Sequence, residues 1–255
     1  MKSYIVYIIR SGATKEETEG KYIGHTDVEL SEEGRKQLEN MRSELVYPPV
    51  GAVISSPLKR CTDTAAILYP DNKCITIDSL IECNFGEFEG KDAEELKDYP
   101  MFPRWLAGEQ GVEPPFGESN EAFAKRVCEG FIKIIDGLIK TETDRAAIVT
   151  HGGVMMALLT NFGLPQLPMH EWITPNGCGY TLRITPSLWM RGHKLEVVYE
   201  FPYEKNDEEG EEEQQDVRLH QLAVADLLTR GGRRGFVERF AGMLHDHGDH
   251  DGKHH

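Results

Sequence analysis

Tyr4-Ile5-Val6-Tyr7-Ile8-Ile9-Arg10-Ser11-Gly12-Ala13-Thr14 is the stretch on which the fold turns. Residues 4–9 are all β-branched or aromatic, an unbroken apolar run of strand length, and read as a strand buried on both faces. A guanidinium, a hydroxyl and a glycine then stand at its carboxyl end. Open α/β sheets bind ligands in the crevice beyond the carboxyl ends of their strands. Arg10 and Ser11 are therefore the first candidate site residues.

The same grammar repeats outward from this strand. Ser31-Glu32-Glu33-Gly34 opens a helix whose acidic first turn complements the helix dipole, with Leu38, Met41 and Leu45 on its apolar face and Pro48-Pro49 at its end. Residues 51–55 read as a second buried strand. Ser56-Pro57 then predicts a helix with Ser56 as cap and Pro57 at the first position, running through Arg60, Thr64 and Ile67 to Pro70. A third strand is expected at 74–77 and a glycine-rich loop at 80–91. Short helices are expected at 92–99 and 101–107. Residues 118–140 predict a long helix from the spacing of Phe123, Val127, Phe131, Ile134 and Leu138. Ala146-Ala147-Ile148-Val149-Thr150 is a fourth strand, delivering His151-Gly152-Gly153 and a helix to about Phe162. Strands at 178–185 and 194–201 complete the pattern. Strands alternating with helices imply an α/β domain whose sheet is largely parallel and covered on both faces.

Composition narrows the function. With 43 acidic against 28 basic residues and a formal net charge of −15, the chain is a poor general partner for nucleic acid or an anionic membrane. A small-anion pocket needs only two or three arginines. The apolar run at 5–9 is too short for a signal-peptide core, and no stretch approaches the roughly 18 apolar residues of a membrane span. Cys61, Cys74, Cys83, Cys128 and Cys178 are odd in number and scattered, as expected of reduced thiols in a cytoplasmic protein.

After Tyr203 the composition changes. We expect a domain over 1–203, an acidic linker over 204–216 and an extension over 217–255 with helical segments and a His/Asp-rich tail. In that tail His245, His247, His250, His254 and His255 alternate with Asp246, Asp249 and Asp251, a donor set suited to Zn²⁺, Ni²⁺ or Co²⁺. A structureless tail or a partial purification tag reads equally well from the same residues.

Phosphoryl transfer needs cations on the equatorial oxygens, an in-line nucleophile and an acid for the leaving oxygen. Arg10 and Arg60 can give bidentate contacts to phosphate. His151 and Gly152 stand between a strand and a helix N-terminus, where backbone N–H groups face an anion. Glu82, in Leu80-Ile81-Glu82-Cys83-Asn84-Phe85-Gly86-Glu87-Phe88-Glu89-Gly90, becomes a usable acid if burial raises its pKa, with Glu87 and Glu89 as competitors for the role.

These segments together resemble the histidine phosphatase superfamily, with the three-layer phosphoglycerate mutase-like fold. Its Arg-His-Gly-x-Thr motif corresponds to Arg10-Ser11-Gly12-Ala13-Thr14. The Ser-Ser-Pro-Leu-x-Arg block from Ser55, the loop around Glu82 and the His151-Gly152-Gly153 strand end follow in the family's order, over about residues 3–201. The compact Glu82 loop, Asn120, Trp172 and 176–180 look most like the α-ribazole phosphatase branch.

The resemblance implies a phosphomonoesterase of a small phosphorylated metabolite that needs no cofactor. Arg10, Arg60, His151 and Gly152 would bind phosphate, and Glu82 would be the proton donor. It also implies a histidine nucleophile where this chain has Ser11. A serine hydroxyl needs a base, is shorter than an imidazole, and forms an ester slower to hydrolyse than phosphohistidine. Two readings stand: a phosphatase inactive or strongly impaired at Ser11, and a pseudophosphatase that holds a phosphorylated ligand.

Overall fold

The computed structural model describes residues 2–109 and 111–204. The expected acidic linker beyond 204, the helical segments and the His/Asp-rich tail lie outside the described residues. Strands β1 (Tyr4–Arg10), β2 (Leu45–Val46), β3 (Ala52–Ser55), β4 (Cys74–Thr76), β5 (Arg145–Thr150), β6 (Gly163–Leu164), β7 (Gly179–Ile184), β8 (Leu195–Phe201) and β9 (Tyr203–Glu204) are joined by α1 (Lys15–Thr18), α2 (Glu32–Glu44), α3 (Lys59–Leu68), α4 (Ala93–Leu96), α5 (Met101–Leu106), α6 (Asn120–Lys140), α7 (Gly152–Phe162) and α8 (Pro186–Gly192).

The main sheet has the order β4-β3-β5-β1-β7-β8-β6. β4, β3, β5 and β1 are mutually parallel, β7 runs against both β1 and β8, and β6 is parallel to β8. The expected mostly parallel sheet is present, with β7 reversed. β2 and β9 form a separate small ladder.

Both faces are covered, and the period of two along the central strands divides the core. Val6 and Ile8 of β1 and Ala146 and Ile148 of β5 pack with Val127, Phe131, Ile135 and Leu158 of α6 and α7. Tyr7 and Ile9, with Ala147 and Val149, pack on the other face against Leu38, Cys61 and Leu68 of α2 and α3. This three-layer arrangement follows from strands that are apolar on both sides. A third cluster, Phe88, Leu96, Phe102, Trp105 and Val112, lies beneath the 86–112 segment and gathers Tyr22 onto it.

The helix after β3 departs from its sequence reading. It starts at Lys59, and Leu58 at the cap position makes no side-chain capping bond. Asp27 instead accepts the Lys59 N–H at 2.7 Å from a distant loop. Ser56 Oγ keeps only a long contact to the Leu58 N–H, at 3.4 Å, and makes a shorter bond elsewhere. The cysteines are all unpaired with one another, and Cys61, Cys83 and Cys178 are buried. No helix among the described residues is long and apolar enough to cross a membrane.

Candidate phosphate-binding site

Strand register assembles the site. Arg10 lies opposite Thr150 in the β1–β5 ladder, and the Ser11 N–H donates to the Thr150 carbonyl at 2.8 Å. Ser55 lies opposite Val149, and the Ser56 N–H donates to the Val149 carbonyl at 3.0 Å. Three neighbouring parallel strands therefore deliver Ser56, His151 and Ser11 to one end of the sheet. There a cavity of 340 Å³ is lined by Arg10, Ser11, Arg60, Glu82, His151 and Gly152 among others. All six residues assigned a phosphate or catalytic role from the sequence line this one cavity. A larger groove of 580 Å³, between Ile77–Ser79 and α6, contains none of them.

Arg60 is 4% exposed and His151 3%. Arg60 Nε donates to His151 Nδ1 at 3.2 Å, while its terminal nitrogens donate to the Gly24 carbonyl at 2.7 Å and the Thr26 carbonyl at 3.0 Å. An arginine Nε–H can only donate, so Nδ1 carries the imidazole lone pair and Nε2 carries the proton. Nε2 in turn donates to Ser56 Oγ at 2.8 Å. Burial, and next the Arg60 charge, hold His151 well below its ordinary pKa. His151 is thus a neutral imidazole of defined tautomer.

Glu82 sits across the cavity on a loop whose carbonyls at Ile81 and Glu82 are held by Arg126. Its carboxyl accepts the Cys83 N–H at 2.9 Å and the Gly153 N–H, at the start of α7, at 2.8 Å. Burial raises its pKa, and those two N–H bonds, Arg60 and Arg10 oppose the rise. The approach needs a glycine: a Cβ at position 153 would stand 2.4 Å from Glu82 Oε1. The competing carboxylates are placed otherwise. Glu87 is exposed. Glu89 accepts N–H bonds from Gly24, His25, Thr26 and Phe85 and the Thr26 hydroxyl. It therefore clamps the very loop whose carbonyls receive Arg60.

Arg10 donates to the Thr174 carbonyl at 2.7 Å and pairs with Glu17. Asn176 Nδ2 bonds both the Ser11 carbonyl, at 2.9 Å, and Glu17 Oε2, at 3.2 Å. Gly12 N–H donates to Thr64 Oγ1 at 2.9 Å, fixing the turn after Ser11. Cys61 Sγ lies 3.5 Å from His151 Nε2, and burial pushes its thiol up to about 12. Such a thiol is a weak nucleophile at neutral pH. Sequence reasoning missed Glu17 and Thr174, and gave Glu89 and Ser56 other roles, as a competing acid and a helix cap. Of the two missed, Glu17 carried a signal, lying one helical turn past Thr14. Among the described residues no group of three or more His, Cys, Asp or Glu could hold a metal ion.

The sequence pattern of the histidine phosphatase superfamily (branch 1) matches residues 6–191. The chain belongs to this superfamily. Among its histidine phosphatase relatives, an adenosylcobalamin/alpha-ribazole phosphatase from Salmonella typhimurium is 28% identical over 178 residues, covering 68% of this chain and 87% of the relative. The alpha-ribazole phosphatase structure from Shigella flexneri superposes with a TM-score of 0.65 at 23% identity, over 82% of this chain and all (100%) of that one. A phosphoglycerate mutase from Bacillus anthracis gives 0.61 at 20% identity, over 77% and 92%. At those identities the two structures speak for the phosphoglycerate mutase-like fold.

Proposed function

We propose that this histidine phosphatase domain takes a phosphomonoester of a small metabolite, of the α-ribazole phosphate kind, with turnover strongly impaired by Ser11. In this reading Arg10, Arg60, His151 and Gly152 hold the phosphoryl group, His151 by turning its Nε2–H from Ser56 to the ligand, and Glu82, whose pKa burial raises, faces the leaving oxygen. The observation that carries it is the convergence of these side chains on one cavity at the ends of β1, β3 and β5. The relative from Salmonella supports the substrate class.

One contact supports going further, to a domain that holds its ester without hydrolysing it. A serine nucleophile needs a base. The imidazole candidate is His151, and its single lone pair already accepts from Arg60; Glu17, the carboxylate beside Ser11, is held by Arg10 and Asn176. The shorter hydroxyl adds an in-line distance that imidazole would have closed.

Hydrolysis of p-nitrophenyl phosphate by the chain and by Ser11→His separates these statements. The proposal expects near-background turnover by the chain and a gain of about 10²-fold or more in the variant, within the range one catalytic group contributes. Comparable rates in both would overturn the assignment of Ser11. Absence of both turnover and phosphate binding in both would overturn the pocket.

A further inference from the structure

The cavity is furnished with hydrogen-bond donors, and Glu17 is an acceptor placed among them. Its carboxylate is shared between Arg10 and Asn176, and it lines the cavity beside Ser11. An ionised carboxylate offers about four lone-pair sites, so these two partners leave it able to accept another bond. A fully ionised phosphate offers only acceptors, and set against Glu17 it would bring like charges together. A protonated phosphoryl oxygen has a hydrogen to give.

We propose that Glu17 accepts a hydrogen bond from the P–OH of the bound ester, so that the pocket selects the monoanion ROPO₃H⁻ over the dianion and over sulfate esters. This rests on the cavity being the phosphomonoester site proposed above. A sulfate ester matches the monoanion in charge and shape but carries no proton, leaving an oxygen lone pair facing a carboxylate lone pair. The charged and titratable groups that face this corner are Arg10 from β1, Lys21 and Tyr22 from the segment after α1, Arg60 from α3, Glu82 from its loop and His151 from the β5–α7 turn. Lys21 is engaged by Glu19 at 2.8 Å. Glu82 is the other carboxyl, held by the Cys83 and Gly153 N–H groups and assigned in the proposed function to the leaving oxygen.

The test uses two non-hydrolysable probes of equal shape, phenylphosphonate and benzenesulfonate, titrated calorimetrically into the full chain and into Glu17→Gln. At pH 5.5, where the phosphonate is protonated, the chain is expected to bind it about tenfold or more tighter than the sulfonate, the size of one hydrogen bond made to one ligand and lost to the other. That preference should fade as pH rises through the phosphonate's second ionisation. In Glu17→Gln, whose amide can donate as well as accept, the two probes should bind within about threefold of one another. Equal affinities in the unaltered chain at pH 5.5, or an unchanged preference in Glu17→Gln, would overturn the role of Glu17 while leaving the pocket standing. If neither probe binds either protein at any pH, the phosphomonoester reading itself falls, and this inference with it.

Discussion

Arg60 and His151 form a buried donor–acceptor pair, Nε to Nδ1 at 3.2 Å, between side chains 91 positions apart in the chain. The pair fixes the imidazole tautomer, adds to burial in keeping the ring neutral and turns its remaining N–H to Ser56. Two residues that each read as plain phosphate ligands in the sequence are thus one hydrogen-bonded unit, and the unit is held by carbonyls of a loop that Glu89 clamps.

Replacing Arg60 by lysine tests that unit. A lysine Nζ is a point charge and cannot reach His151, Gly24 and Thr26 with the geometry of the guanidinium fork. Phenylphosphonate affinity is expected to fall about 10- to 100-fold, as for loss of a charged hydrogen bond. The His151 ring signals in a proton NMR titration should also move toward ordinary histidine behaviour. An unchanged titration would contradict the coupling.

His151 predicts a pH dependence of stability. Its folded pKa lies well below 6.5, so below that value the unfolded chain takes up a proton that the folded one refuses. Stability then rises with pH through the unfolded pKa and is lost on acidification below it. Between pH 7.5 and 5.5 this one group is expected to remove stability on the order of 1 kcal/mol. His151→Gln, which keeps an acceptor for Arg60, should lose that component while the other histidines contribute as before. Urea midpoints of both proteins across the interval measure it.

Gly153→Ala should act on the acid. The new Cβ would stand 2.4 Å from Glu82 Oε1, so the carboxyl must leave the Gly153 N–H. We expect a cost of about 1–3 kcal/mol in thermal or denaturant unfolding. In the Ser11→His background kcat should drop more than substrate affinity, because in the proposed function the displaced group serves the leaving oxygen. A larger loss in KM than in kcat would count against Glu82 as the proton donor.

Glu89→Ala should weaken the site without touching the cavity. The carboxylate accepts from the backbone of Gly24, His25, Thr26 and Phe85, and removing it leaves N–H groups without a protein partner. A loss of about 1–3 kcal/mol in stability is expected. Phenylphosphonate binding should weaken as well, since the Gly24 and Thr26 carbonyls would no longer hold Arg60 in place. Unchanged affinity would show that Arg60 needs no such support.

Much of the fold and most of the site were legible in the chain itself. Residues 4–9 and 146–150 are apolar on both faces, and Phe123, Val127, Phe131, Ile134 and Leu138 recur at helical spacing. All of these except the half-buried Ile5 sit in the buried positions their periodicity predicts. Arg10, Ser11 and His151 follow strand ends, so local pattern alone places them at the crevice. Not every short element was legible: α1, α8, β2, β6 and β9 were not read from the sequence, though the comparably brief α4, α5 and β4 were. Reversal of β7 depends on which strands it meets, and nothing within 179–184 encodes that.

Ser56 shows where local reading stops. Ser-Pro before a helix is a capping signal, yet Asp27 takes the cap and Ser56 accepts from His151. Glu17 on Arg10 and Glu89 on the 24–26 loop belong to the same class. By itself the sequence determined the α/β layering and the chemistry gathered at the strand ends, because period and punctuation are properties of neighbouring residues. The tertiary structure alone decided the tautomer of His151 and the commitment of its lone pair to Arg60, because each depends on a partner 91 positions away in the chain.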